Sequence, residues 1–366
     1  MRRGSMSSPM IGKSDLPEIH HPDAPYSSSR RALLAGAASA AGGIAAAMAI
    51  SGTHAAQTAP AADIWTGEYW ATKQRAGAEI KLALYRKRLG APAAGGASSP
   101  VLFLVHGSSI SARPSFDLSV PGHGEYSLMN VFAHHGFDVW TMDHENYGRS
   151  SRTETNSDIA SGVEDLQAAT MVVARETGRS EFHFLGESSG ALRAGAFAMI
   201  APERVGRLVL SAFTWTGRGS PTLAKRAEAL ASFRANKRRP RDRNMIRSIF
   251  TRDKPGSSDP AVPEALADAE LAFGDTIPTG TYLDMTANLP VVDPHKVISP
   301  VLLVRGEHDG IASLDDLLGF YKELPNPDRQ FSILSGAAHA LALSLDREQF
   351  WHVIHAFLTM PTRAAT

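Results

Sequence analysis

The sequence predicts an α/β fold: a mostly parallel central sheet flanked by helices, with an inserted helical cap. Three observations predict it. Short apolar runs alternate with helical patterns over most of the chain, as in a parallel sheet covered on both faces. Several of those runs, such as Val101-Leu102-Phe103-Leu104-Val105, are apolar without interruption, as strands buried on both sides require. Between Trp215 and about Ile298 the strand signal vanishes for some 80 residues, too long for a bare loop in a compact domain.

Composition sets the outer limits. The 366 residues are 43% apolar and 20% charged, which suits one large domain with an insertion or two domains. Formal net charge is zero, so no global basic field points to nucleic acid. The chain has no cysteine, which excludes disulfides, a cysteine nucleophile and cysteine-ligated metals.

The elements follow in order. Residues 1–29 are polar and rich in Pro, Ser and His. Arg30-Arg31 then precede an Ala/Gly-rich apolar run to about Ile50, and Thr53-His54-Ala55 offers small residues for a signal peptidase. Adjacent arginines before a weakly hydrophobic run resemble a twin-arginine export signal. Residues 1–55 are therefore expected to be a signal for the bacterial twin-arginine export machinery, cleaved off by a signal peptidase. The mature chain would be periplasmic or secreted, without stable membrane association.

A first core segment is expected over residues 63–214. Ile80, Leu82 and Leu84 share one parity, a period-2 strand. After the strand at 101–105 come a helix over 125–135 stopped by Gly136, a strand over 137–143, and a helix over 159–177. Ser157-Asp158 cap that helix and Gly178 stops it. Apolar runs at 182–185 and 207–213 are further strands. Residues 215–297 form the cap, with helices over 223–233 and 263–273 and a basic cluster, residues 237–241, read as solvated surface. Residues 298–366 complete the core, with strands at 301–304 and 331–334 and a closing helix over 346–358.

The chemistry-bearing positions lie at strand ends. Gly186-Glu187-Ser188-Ser189-Gly190 follows an apolar run and precedes a small-residue helix, so Ser188 stands at the apex of a strand–turn–helix elbow. An activated serine needs a base, an orienter for the base and donors for the oxyanion. His339, in the loop after the last strand, is the candidate base. Asp309, in Arg305-Gly306-Glu307-His308-Asp309-Gly310, is the candidate orienter, with Glu307 as its competitor. The backbone N–H groups of Ser108 and Ser189 are the candidate oxyanion donors, and Gly107 lets the backbone approach. Phe213 and Trp215, past the strand that follows the elbow helix, are expected to line an apolar pocket.

The order serine, acid, histidine at 188, 309 and 339 resembles the α/β-hydrolase superfamily. His106-Gly107 and Asp143-His144-Glu145-Asn146-Tyr147-Gly148-Arg149-Ser150 are also similar to that superfamily's segments, with Asn146 where a glycine is usual. The resemblance implies an α/β-hydrolase fold and a serine hydrolase of esterase type acting on a small-molecule ester. Amidase, lactonase and carbon–carbon bond hydrolysis are alternatives, and a non-catalytic binding protein is the reading from another class. No metal or organic cofactor is implied.

Overall fold

The computed structural model describes residues 63–93 and 99–361. The expected export signal therefore lies outside the described residues. The strands are β1 (Ile64–Arg75), β2 (Ala78–Leu89), β3 (Val101–Val105), β4 (Leu118–Ser119), β5 (Glu125–Tyr126), β6 (Asp138–Met142), β7 (Phe182–Glu187), β8 (Val205–Ser211), β9 (Arg238–Pro240), β10 (Thr276–Pro278), β11 (Val301–Gly306) and β12 (Arg329–Leu334). The helices are α1 (Ala112–Phe116), α2 (Leu128–His134), α3 (Ile159–Thr177), α4 (Ser189–Ile200), α5 (Pro221–Ala227), α6 (Leu230–Ala235), α7 (Arg243–Thr251), α8 (Ala261–Leu271), α9 (Gly280–Ala287), α10 (Leu314–Glu323) and α11 (Arg347–Leu358).

Eight strands form one sheet in the order β1-β2-β6-β3-β7-β8-β11-β12. All neighbours from β6 to β12 pair in parallel, and β2 runs antiparallel to both β1 and β6. The continuous apolar runs are explained by two cores. Phe103 of β3 joins Phe184, Leu210, Leu192 and Phe320 on one face; Leu102 and Leu104 join Phe132, Phe350 and Phe357 on the other.

Local chemistry moves some expected boundaries. The helix expected from 125 starts at Leu128, because Ser127 caps it by accepting from the Asn130 N–H (3.0 Å) and Glu125–Tyr126 pair with β4 instead. Asp158 accepts from the Ser161 N–H (2.8 Å) and Gly178 closes α3 in the left-handed region, as expected. The strand β1 gave no clear alternation, because it lies on the sheet edge and is mostly half-buried or exposed.

Between β8 and β11 the chain carries α5 to α9. The short pair β9–β10 interrupts the helices; at three residues each these strands are too short to show a period. Ile246, Phe250, Val262 and Leu266 of α7 and α8 pack on Ile110, Leu118 and Tyr126 and on Ala340 and Leu343. The segment thus sits on the loops that leave β3 and β12. Among the described residues no helix is long and apolar enough to cross a membrane.

Candidate active site

The elbow is built by steric demand. A Cβ on Gly186 would lie 2.4 Å from the Gly190 carbonyl oxygen, and one on Gly190 would lie 2.1 Å from that of Val105. Both glycines are required for strand and helix to close on each other. Ser188 between them has φ 57° and ψ −122°, a strained backbone for a residue with a side chain. Its N–H donates to the Ser211 carbonyl (2.9 Å), which ties the turn to β8. Only 7% of Ser188 is exposed. Its hydroxyl forms no hydrogen bond among the described residues and faces a cavity of about 60 Å³ that His339 also lines.

The turn after β11 and the loop after β12 meet because Gly306 lies against Ala337 and Ala338; a Cβ there would be 2.4 Å from the Ala338 carbonyl oxygen. The His308 N–H donates to the Ala337 carbonyl at 3.0 Å. That contact brings Asp309 to His339: Nδ1 of the imidazole lies 2.9 Å from Oδ1 of the carboxylate. The same Oδ1 accepts from the Ile311 N–H (3.0 Å). Burial pushes the Asp309 carboxyl up, but His339 and the Ile311 N–H outweigh it and hold the group below its ordinary value. With Nδ1 engaged by Asp309, Nε2 is the nitrogen available to take a proton. Glu307 is turned elsewhere, accepting from the Gly336 N–H (2.8 Å) and the Ser335 hydroxyl (3.0 Å).

The expected oxyanion donors flank the nucleophile. A Cβ on Gly107 would touch the Ser188 Cβ at 3.3 Å, so the β3 turn lies directly against the serine. The Ser108 hydroxyl donates to that of Ser189 (2.8 Å), and the Tyr147 hydroxyl donates to the Ser108 carbonyl (2.9 Å). Ser189 is the first residue of the twelve-residue helix α4, whose N-terminal N–H groups favour negative charge. His106 is held as the Nδ1–H tautomer: Nδ1 donates to the Gly107 carbonyl (2.8 Å) while Nε2 accepts from the His144 N–H (3.1 Å). Burial, then His144 and Arg193, push its pKa well below the ordinary value, so it stays neutral.

The Asp143 segment is a structural pin. Asp143 accepts from the Tyr85 hydroxyl (2.7 Å) and from the backbone N–H groups of Ala112 and Arg149 (both 2.9 Å). Asn146 takes φ 71°, the left-handed backbone that its side chain tolerates.

Two expectations are corrected. Phe213 and Trp215 do not line the cavity. Phe213 is buried in the core against Phe320, and the Trp215 indole packs on Phe320 and donates to the Val292 carbonyl. Phe213 lies in the core cluster with Val292 and Phe320, and the half-buried Trp215 packs against that cluster. The basic cluster is not merely solvated surface: Arg241 is 3% exposed and pairs with the buried Glu270, and Arg239 lies over the Tyr282 ring.

Other residues at the site carried no recognisable signal. Glu187, inside the elbow motif, lines the cavity beside Ser188; burial, then Asp309, push its carboxyl up to about 7. Glu270, in the cap, accepts from both the N–H (2.9 Å) and the hydroxyl (2.6 Å) of Ser111 and so ties the cap to the loop that carries Ser108. Asp253, Asp309 and His339 each offer a ligand atom within 4.8 Å of the others. A metal there would compete with the Asp309–His339 bond.

The sheet order, the serine at the strand-to-helix apex and the cap between β8 and β11 define a hydrolase of the α/β-hydrolase superfamily. Within it, the chain belongs to the serine aminopeptidase S33 family, whose sequence model matches residues 122–346. It is similar to a 2-hydroxy-6-oxononadienedioate/2-hydroxy-6-oxononatrienedioate hydrolase of Paraburkholderia phymatum, 27% identical over 259 residues that span 67% of this chain and 82% of the relative. The enzyme of that name from Burkholderia vietnamiensis is 26% identical, over 64% of this chain and 79% of its own length. A solved 2-hydroxy-6-oxo-6-phenylhexa-2,4-dienoate hydrolase from Rhodococcus sp. strain RHA1 superposes with a TM-score of 0.58 at 18% identity, covering 81% of this chain and 100% of its own. A Bacillus subtilis carboxylesterase gives 0.56 at 20% identity, over 81% and 93% of the two chains. At such identities the two structures share the fold.

Proposed function

We propose that this chain hydrolyses a bond between a carbonyl carbon and a carbon leaving group, through an acyl-enzyme on Ser188. The observation that carries the acyl-transfer part is that Ser188 and His339 line one cavity while Asp309 engages the far nitrogen of the imidazole. The choice of bond is supported by the two curated relatives, both named as hydrolases of 6-oxo dienedioates. Ser188 Oγ attacks the carbonyl carbon as His339 takes its proton. In a 2-hydroxy-6-oxo dienoate the 2-hydroxyl proton first moves to the carbon beside the 6-carbonyl; the carbon–carbon bond then breaks with its electron pair delocalised through the resulting 2-oxo-3-ene as a dienolate, which the His339 proton neutralises. Water, deprotonated by His339, attacks the acyl-enzyme; a carboxylic acid leaves and Ser188 regains its proton.

The test is a rate comparison on the purified chain. 2-Hydroxy-6-oxononadienedioate, followed by loss of its conjugated absorbance, should be cleaved with a kcat/KM at least about tenfold above that for p-nitrophenyl butyrate. The reverse order would favour the ester cleavage expected from the sequence. Export belongs to the same reading, supported by Arg30-Arg31 and the apolar run behind them. Exchanging both arginines for lysine should retain the protein in the cytoplasm; unchanged export would reject it.

A further inference from the structure

A second cavity lies beside the first and is walled mainly by the cap. It holds about 530 Å³. Ser109, Arg226, Ile249 and Arg252 line both cavities, so the two are neighbours with a common wall. Four cationic side chains face the larger one, Lys225, Arg226, Arg239 and Arg252, against the single carboxylate of Asp253.

Two of these cations are already answered. Lys225 pairs with Glu228 at 2.8 Å and Arg252 with Asp253 at 3.2 Å. Arg226 and Arg239 have no carboxylate partner among the described residues. Both guanidinium groups lie over the buried Tyr282 ring, 5.1 and 4.9 Å from its centroid. The Tyr282 hydroxyl is fixed in turn by Ser109 Oγ (2.6 Å), at the boundary of the two cavities. Burial, then the neighbouring Arg252, hold the Arg226 guanidinium down to about 10. Two like charges gathered on one ring repel each other, and an anion between them would relieve that repulsion and satisfy their forked donors.

We infer that Arg226 and Arg239 form a carboxylate-binding subsite in the cap. The substrate is then an acyl compound whose reacting carbonyl sits at Ser188 while a second, anionic end lies in the larger cavity. This rests on reading Ser188 as the nucleophile, but the subsite can be tested apart from it.

Glutarate and its neutral counterpart glutaramide are titrated calorimetrically into the full chain. Glutarate should bind at least about tenfold more tightly, and Arg239→Gln should weaken it about tenfold or more, with Arg239→Lys recovering part of the loss. Arg226→Gln, tested in parallel, should do the same should Arg239→Gln fail to fold. Equal binding of glutaramide, undiminished glutarate binding by the folded glutamine variants, or tighter binding of inorganic phosphate than of glutarate would each overturn the carboxylate subsite. Kinetics then separate the two readings. The p-nitrophenyl monoester of glutaric acid should exceed p-nitrophenyl pentanoate in kcat/KM, and Arg239→Gln should bring that ratio toward one. A chain that binds glutarate through these arginines but cleaves neither ester keeps the subsite and loses the nucleophile. A chain that cleaves the neutral ester and ignores glutarate does the reverse.

Discussion

Replacing Glu270 by alanine should loosen the cap and disturb the loop that carries Ser108 together. Glu270 and Arg241 are 1% and 3% exposed, and their side chains form a direct ion pair. The other carboxylate oxygen accepts two hydrogen bonds from Ser111. Removing one partner of a buried pair costs about 3–5 kcal/mol, because the remaining charge stays in low dielectric. Here Arg241 keeps carbonyl acceptors on Gly274 (2.6 Å), Glu270 (3.3 Å) and Ser109 (3.3 Å), which points to the lower end. The freed Ser111 N–H adds about 1 kcal/mol or more if water does not reach it. We therefore expect about 3–4 kcal/mol, a large fraction of the roughly 5–15 kcal/mol that stabilises a typical domain. Equilibrium urea unfolding measures it. Glu270→Gln, which keeps an acceptor for Ser111, should lose less. Arg243→Ala, which breaks only exposed pairs with Glu264 and Asp268, should leave the midpoint in place. Turnover of Glu270→Ala should fall as well, because Ser108 and Ser111 share one loop. A loss below about 1 kcal/mol would refute the assignment of this pair as the tie between cap and core.

Two further outcomes follow from the site. Glu187 has an ordinary value of 4.5 and is held at about 7 in the fold, so it binds its proton more tightly folded than unfolded. The stability this contributes is present below pH 4.5 and lost as pH rises through about 7. Glu187→Gln should therefore gain stability relative to the parent across that window and hold the gain above it; urea midpoints at the two ends test this, and a constant difference would contradict it. Asp309→Asn places an amide against the imidazole and favours the wrong tautomer, which should lower kcat about 10³–10⁴-fold. A larger loss from Glu307→Gln than from Asp309→Asn would reverse the choice of acid.

The parts of the fold legible in the sequence were those fixed by local sterics and by two-sided burial. Val101–Val105 is apolar throughout because alternate residues enter opposite cores. Gly186, Gly190 and Gly306 mark places where a side chain would collide with a neighbouring backbone, so the elbow and the β11 turn could be read directly. Positions set by long-range contact were silent. Glu270 meets Ser111 across 159 residues, and nothing near either residue announces the other. Phe213 and Trp215 have the composition of a pocket wall, and only the path of the chain after β8 shows that Phe213 enters the core and Trp215 packs against it. Arg239, in the basic cluster, looked like solvated charge because its platform, Tyr282, lies more than 40 residues away in sequence.

The central claim is that Ser188 is a nucleophile activated by His339. Peptide mass spectrometry after treatment with a fluorophosphonate tests it most directly. The account predicts one adduct, on Ser188, absent from Ser188→Ala and formed far more slowly by His339→Ala. Adduct formation at another serine, or undiminished labelling of Ser188 without His339, would contradict it.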